Sequence, residues 1–199
     1  MGWRQTIGIW KHRFRLFPGH LWRCELRLVG VTSASPPILC GRPIVSRFEG
    51  STIEFGRTVC LDSSRRNNPL GGEKPCVLRT MNKQARILLG DRVGLSSATI
   101  VSGNSIQIGS DTLLGAGCMI LDNDFHVPSG SFAWKTEYSS NSRPVSIGRG
   151  CFIGARAIIL KGVTLGDRVV VGAGAVVTRS FPSGSVIGGN PAGLLQSRV

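Results

Sequence analysis

The residues best equipped for chemistry sit in one short stretch, Leu121-Asp122-Asn123-Asp124-Phe125-His126. A neutral imidazole with a pKa near 6.5 suits proton removal from a hydroxyl or amine as that group attacks an electrophile. Asp122 and Asp124 precede His126 closely. A carboxylate beside an imidazole orients the ring and favours its protonated form after transfer. The same D-N-D run also serves as an Asx turn, and the sequence leaves both readings open. Trp134 and Tyr138 follow, with aromatic faces that suit a sugar ring and equally suit covering an apolar neighbour. His12 and His20 are the only other histidines, so a three-imidazole metal site lacks ligands. The six cysteines form no C-x-x-C pair, which argues against structural zinc and a disulfide framework. They read as reduced thiols of a cytoplasmic protein, mostly small apolar fillers.

These residues need a scaffold, and composition narrows it. At 199 residues the chain suits one domain with a full core. With 41% apolar and 18% charged residues it is globular in composition. No apolar run approaches the roughly 20 residues needed to span a bilayer. The start also lacks the pattern of a secretory signal. Glycine, at 27 residues, is nearly twice as frequent as usual, while aromatics are 7%.

The glycines follow a repeat. From residue 147 the chain reads IGRGCF, IGARAI, ILKGVT, LGDRVV, VGAGAV, VTRSFP, with frames at Ile147, Ile153, Ile159, Leu165, Val171 and Val177. The same period appears at Leu89, Leu95, Val101, Ile108, Leu114 and Ile120, with one extra residue near Gln107. Weaker copies start at Phe55 and Leu61. A period of six fits neither a helix nor a continuing strand. It fits short strands that turn a corner every six residues, three to a coil. The aliphatic residue points inward, a glycine or small residue takes the corner, and each coil buries itself against its neighbours. The expected fold is an all-β solenoid occupying 31–199, with a tail at about 183–199. Ile120 to Ile147 spans 27 residues, not a multiple of six. An excursion of about 125–142 therefore leaves the solenoid, carrying His126, and long loops on rigid scaffolds are usually functional.

The motifs LDNDFH (121–126), RPVSIG (143–148), CFIGARAIILKGVTLGD (151–167), VVGAGAVVTRSFP (170–182) and IGGNPA (187–192) carry a family. Over about 77–195 the chain resembles the left-handed parallel β-helix acyltransferases with hexapeptide repeats. It looks closest to the sugar and polysaccharide O-acetyltransferases of the maltose and galactoside acetyltransferase type. The resemblance supplies the left-handedness, since crossovers between parallel strands are otherwise right-handed. It implies acetyl-CoA as co-substrate without a metal, and a sugar hydroxyl of a surface polysaccharide or its precursor as acceptor. It places the general base on His126, attacking directly without an acyl-enzyme. Asp124 and Asp122 are then candidate partners of that base. The coenzyme positions fall on Ala155, Ala173, Thr178 and Arg179, with an N–H near Ala155 as oxyanion donor and Arg179 as a phosphate partner. Acceptor contacts fall on Ser96, Trp134, Tyr138 and Phe152. The resemblance further implies a homotrimer with each site between two subunits. The chain departs from the family pattern at Phe152, where Trp is frequent, at Ser96, where Asn is frequent, and at Gly193, where a cation is usual and Arg198 offers a substitute.

Residues 1–30 differ in kind. Residues 1–23 hold Arg4, Lys11, Arg13, Arg15 and Arg23 and no acid. Trp3, Ile7, Trp10, Phe14, Phe17 and Leu21 recur at helical spacing, broken near Pro18-Gly19. Such a segment either caps the first coil or lies on a membrane as a peripheral contact at its inner face. A second short helix is expected over 21–30. MGWRQT also matches the loose myristoylation pattern. The net charge of +13 motivates a rival reading as a non-catalytic scaffold or polyanion binder. Nucleic-acid binding is not expected, because no recognition helix, paired RNP aromatics or zinc finger accompanies the charge. N-acetylation of an amino sugar is the remaining alternative. The insertion RRNNPLGGEKP (65–75) reads as a solvated loop at a coil edge.

Overall fold

The computed structural model describes residues 19–66, 68–71 and 74–197. Three parallel sheets form a triangular prism, because every third strand pairs. The first face stacks Thr32–Ser33, Thr52–Phe55, Arg86–Leu89, Ser105–Ile108, Val145–Ile147 and Thr164–Leu165. The second stacks Ile38–Cys40, Cys60–Asp62, Gly94–Ser96, Leu113–Leu114, Phe152–Ile153 and Val170–Val171, and closes with Ser185–Gly189 and an antiparallel Ala192–Ser197. The third stacks Ile44–Ser46, Val77–Thr80, Thr99–Ser102, Met119–Leu121, Ile158–Ile159 and Val176–Val177.

Register explains the period. Phe55, Leu89, Ile108, Ile147 and Leu165 align along the first face. Leu39, Leu61, Leu95, Leu114, Ile153, Val171 and Ile187 align along the second. Val45, Leu78, Ile100, Ile120, Ile159 and Val177 align along the third. All but the half-buried Val45 are buried in one continuous core. Ladders of apolar side chains inside the prism remove most apolar surface from water, at roughly 25 cal/mol per Å². The solenoid therefore begins at residue 32, ahead of the weak copies at Phe55 and Leu61.

One frame is corrected. The inward residue of the third face is Ile100, fully buried, while Val101 pairs with Arg79 and Leu121 on the outward side. The Leu95-to-Ile100 step is five residues, turning through Ser97 at φ 48°. The next step to Ile108 is eight residues. A short turn and a long one add to the one surplus residue that the period alone placed near Gln107.

Residues 19–28 are helical. Leu26 joins the core with Val31, and Trp22 packs against it. Arg23 Nε donates to the Pro37 carbonyl at 2.8 Å, and Arg42 forks onto Glu25 at 2.6 and 3.0 Å. This helix therefore covers the open end of the first coil, while Leu21 of the expected apolar stripe stays exposed. The rest of that stripe, from Trp3 to Phe17, lies outside the described residues. Among the described residues no helix is long and apolar enough to cross a membrane.

The excursion leaves the third face after Leu121 and returns at Val145, and it contains an antiparallel hairpin of His126–Pro128 and Trp134–Thr136.

Candidate functional site

The first-to-second corner is a ladder of ion pairs. Arg57 meets Asp91 at 2.5 Å, Arg92 meets Asp111 at 2.6 Å, and Arg149 meets Asp167 at 3.5 Å. The guanidinium of Arg57 and the Arg57 amide hold Asp91 below the usual carboxylate range. Arg92 does the same for Asp111. Asp167 is lowered first by the Arg149 amide and then by its side chain.

The second-to-third corner is built mostly of glycine and alanine, with Arg156 its one long side chain on the fourth to sixth coils. Gly115-Ala116-Gly117, Gly154-Ala155-Arg156 and Gly172-Ala173-Gly174 stack one above another. Leu70 and Lys74 lie against the lower end. A groove of about 720 Å³ results, bordered by Leu70, Lys74, Ser97, Met119, Ala155 and Ala173 among others. It runs from the insertion of the second coil to the sixth coil, about 19 Å at roughly 4.8 Å per coil. Gly154 lets the next coil stack closely on this corner: a Cβ there would lie 2.5 Å from the Ala173 nitrogen. An adjoining pocket of about 540 Å³ shares Leu70, Ala116 and Ala155 and adds Cys60, Ser96, Leu113 and Phe152.

The third-to-first corner carries the excursion. Asp122 is fully buried at its base and accepts from Ser102 Oγ at 2.7 Å, the Gly103 and Asn104 amides at 2.6 and 2.9 Å, and Asn123 Nδ2 at 3.0 Å. Gly103 admits the returning strand, since a Cβ there would overlap the Tyr138 carbonyl oxygen. Asn141 Nδ2 donates to Asp124 at 2.7 Å, Lys161 Nζ pairs with the same carboxylate, and Lys161 also donates to the Asn141 carbonyl at 3.0 Å. Glu137 caps the next turn, accepting from the Ser139 amide and hydroxyl at 2.9 and 2.8 Å and from the Tyr138 amide at 2.9 Å. Those donors, the Ser139 amide foremost, hold the Glu137 carboxyl at about 2.

His126 is exposed on the hairpin, and its Nδ1 lies 3.5 Å from Thr136 Oγ1. The expected carboxylate partners are therefore corrected. Asp122 is fully engaged in tying the excursion to the third coil. Asp124 faces Lys161 and Asn141, with only its backbone carbonyl bonded to the His126 amide, at 2.7 Å. Tyr138 packs edge-on against Phe125, ring centroids 6.4 Å apart, so its ring helps close the excursion. Trp134 is exposed on the hairpin.

The expected site residues thus divide. Ala155 and Ala173 border the groove, with Ser96 and Phe152 in the adjoining pocket. Thr178 and Arg179 lie at the third-to-first corner with His126, and Arg179 sits over the Phe181 ring at 5.4 Å. One chain does not bring the two groups together. Sequence reasoning missed Leu70, Lys74, Ala116, Gly117 and Met119 as groove residues, and Lys161 as a support of the hairpin. The Gly-Ala-Gly triplets at 115–117 and 172–174 were the available signal for the groove.

The model described as the hexapeptide repeat of succinyl-transferase matches residues 144–179. These residues are hexapeptide repeats of that kind. The chain's fold is the left-handed parallel β-helix of the hexapeptide-repeat acyltransferases, as its motifs implied. The chain is 35% identical over 107 residues to WbbJ of Escherichia coli, a putative lipopolysaccharide biosynthesis O-acetyl transferase, covering 49% of this chain and 53% of WbbJ. It is 32% identical over 99 residues to YvoF of Bacillus subtilis, a putative acetyltransferase, covering 50% of this chain and 52% of YvoF. The chain spans about half the length of these curated relatives. A variant of AntD, an N-acyltransferase from Bacillus cereus in complex with dTDP-4-amino-4,6-dideoxyglucose and coenzyme A, superimposes with a TM-score of 0.62 at 18% identity, covering 88% of each chain. That likeness is one of fold.

Proposed function

We propose that this protein transfers an acetyl group from acetyl-CoA to a sugar hydroxyl of a surface glycan or its precursor. The observation that carries the reading is the bare Gly/Ala corner from Ala116 to Gly174, long and shallow enough for an extended thioester. AntD was solved with coenzyme A and a sugar nucleotide bound on this kind of fold. The O-acetyl assignment rests on the likeness to WbbJ.

The groove and His126 occupy different corners, so the reading requires a second subunit. In a three-fold assembly with parallel solenoid axes, rotation preserves height along the axis. The partner's excursion then arrives at the level of the coil holding Ala116, Gly117 and Met119. His126 of one subunit removes the acceptor proton as the hydroxyl oxygen attacks the thioester carbonyl. The tetrahedral oxyanion takes a hydrogen bond from a backbone N–H near Ala155. Its collapse breaks the C–S bond, and the imidazolium returns its proton to the leaving sulfur. Arg179, Lys74 and Arg156 supply positive charge for the coenzyme phosphates. Trp134, at the hairpin end, offers a face to the sugar. Lys161 and Asn141, through Asp124, fix the root of the hairpin that presents His126.

The test is calorimetric titration with acetyl-CoA, free CoA and heparin, followed by thiol release with acceptor sugars. One acetyl-CoA per subunit, with His126→Ala retaining donor affinity while transfer falls about 10²–10⁴-fold, is the expected result. Heparin binding without coenzyme binding would overturn the reading in favour of a polyanion-binding scaffold. Paired acceptors differing only in hydroxyl or amine decide between O- and N-acetylation.

A further inference from the structure

The groove does not end at the level where the partner's His126 would arrive. It continues into the pocket against the second face, and the two are joined at Leu70, Ala116 and Ala155. The chemistry changes at that junction. Above it the walls are Ala155, Ala173, Gly174 and Arg156. Below it the walls are Cys60, Leu113, Phe152, Pro69 and Leu70, with Ser96 the outward polar residue of the strand between. Leu113 and Phe152 stand side by side in register on the outer surface of the second face, and both are about half exposed. Gly94, in register below Leu113, leaves room beside it: a Cβ there would lie 2.8 Å from Leu113 Cδ2.

Asn68, Pro69 and Leu70 form the opposite wall. Asn68 is buried, its Nδ2 donates to Ser97 Oγ at 3.3 Å, and its Oδ1 accepts from the Leu70 amide at 3.0 Å. This anchors Leu70, a residue otherwise 69% exposed, over the junction. Cys60 contributes a neutral wall, since burial, foremost, pushes its thiol up to about 11. A sugar needs hydrogen-bonding groups to replace its water, and these walls offer few. An alkyl chain needs only apolar area.

Resting on the acyl-transfer reading above, we propose that the pocket formed by Leu70, Leu113 and Phe152 receives the acyl chain of the donor thioester, so that the protein also takes acyl groups longer than acetyl and binds them more tightly. The thioester carbonyl sits at the junction beside Ala116 and Ala155. The coenzyme arm runs up the Gly/Ala corner, and the alkyl chain runs down between Leu70 and the second face. Each buried methylene adds a favourable increment equivalent to about three- to fourfold in affinity.

The experiment is a calorimetric series on the full chain with acetyl-, butyryl- and hexanoyl-CoA and free CoA. Butyryl-CoA is expected to bind about tenfold more tightly than acetyl-CoA. In Leu113→Trp, whose indole occupies the pocket, the ratio should fall toward one. In Leu70→Ala, which removes the opposite wall, it should fall by about three- to tenfold. Equal affinity for acetyl- and butyryl-CoA in the unaltered protein overturns the pocket and leaves the coenzyme reading standing. Failure of every thioester and of free CoA to bind overturns both. The unaltered protein alone decides the question if either variant fails to fold.

Discussion

Two corners of the same prism solve one backbone problem and then diverge. At the first-to-second corner, a Cβ on Gly148 would lie 2.5 Å from the Gly166 carbonyl carbon. At the second-to-third corner, a Cβ on Gly154 would lie 2.5 Å from the Ala173 nitrogen. Both corners also turn through left-handed backbone, at Arg92, Asp111 and Arg168 on one and at Arg156, Gly117 and Gly174 on the other. The difference lies outside the turn. One corner carries Arg and Asp that pair from coil to coil, and their side chains cover the backbone. The other carries hydrogen atoms and methyl groups, Arg156 apart, and a groove follows. A solenoid corner is therefore a binding surface only where its outward residues are withheld.

The largest expected effect tests that difference directly. Ala173→Trp places an indole on an exposed position of the groove and should weaken acetyl-CoA binding by about 100-fold or more, roughly 2.7 kcal/mol. Arg149→Trp, an equally bulky change on the ladder corner, should leave donor affinity within about twofold. Similar losses from both variants would erase the distinction between the corners.

What the corners share predicts the next effect. Gly148→Ala and Gly154→Ala should each destabilise the solenoid by about 1–3 kcal/mol, since the contacts are with backbone that must shift. At roughly 2–4 °C per kcal/mol for a chain of this size, calorimetry resolves the change. A loss at only one of the two would mean that the corners differ in backbone as well as in decoration.

The prism was legible because its rule is local in sequence. Six residues separate Ile147 from Ile153 and Ile153 from Ile159, and each is buried in register with its neighbours. The period failed where turn lengths compensate, which is why Val101 stood in for Ile100. The site was less legible because its contacts cross coils. Lys161 lies 37 residues from Asp124, and nothing in D-N-D-F-H indicates that a lysine one coil later takes the carboxylate. Asp122 likewise serves the turn at Ser102–Asn104, a role set by stacking. Leu70 and Lys74 belong to a segment that reads as a solvated loop, and only the bare corner behind them gives their positions meaning.

The ladder itself should matter little to stability. Its pairs are exposed, and exposed ion pairs contribute small, salt-screened increments. Asp111→Asn is expected to move the Tm by no more than about 2 °C, with donor affinity unchanged. A larger shift would make the ladder a structural brace and weaken the view that decoration is free of the fold.

Acid gives the smallest and most specific signal. Asp91, Asp111 and Asp167 have folded pKa values below the ordinary 3.8. A depressed folded pKa means that the contribution is fully present above 3.8 and is lost as pH falls through the lower, folded values. The Arg57 and Arg149 amides donate to Asp91 and Asp167 at 2.7 and 2.8 Å, so their chemical shifts should titrate only below pH 3.8. The Gly154 and Gly172 amides donate to the carbonyls of Val171 and Ile187, at 2.8 Å each, and should stay flat over the same range. Amide titration by NMR distinguishes the two corners residue by residue. A transition at Gly154 coincident with that at Arg149 would mean that protonating one corner loosens the whole coil, and that the two corners are not independent.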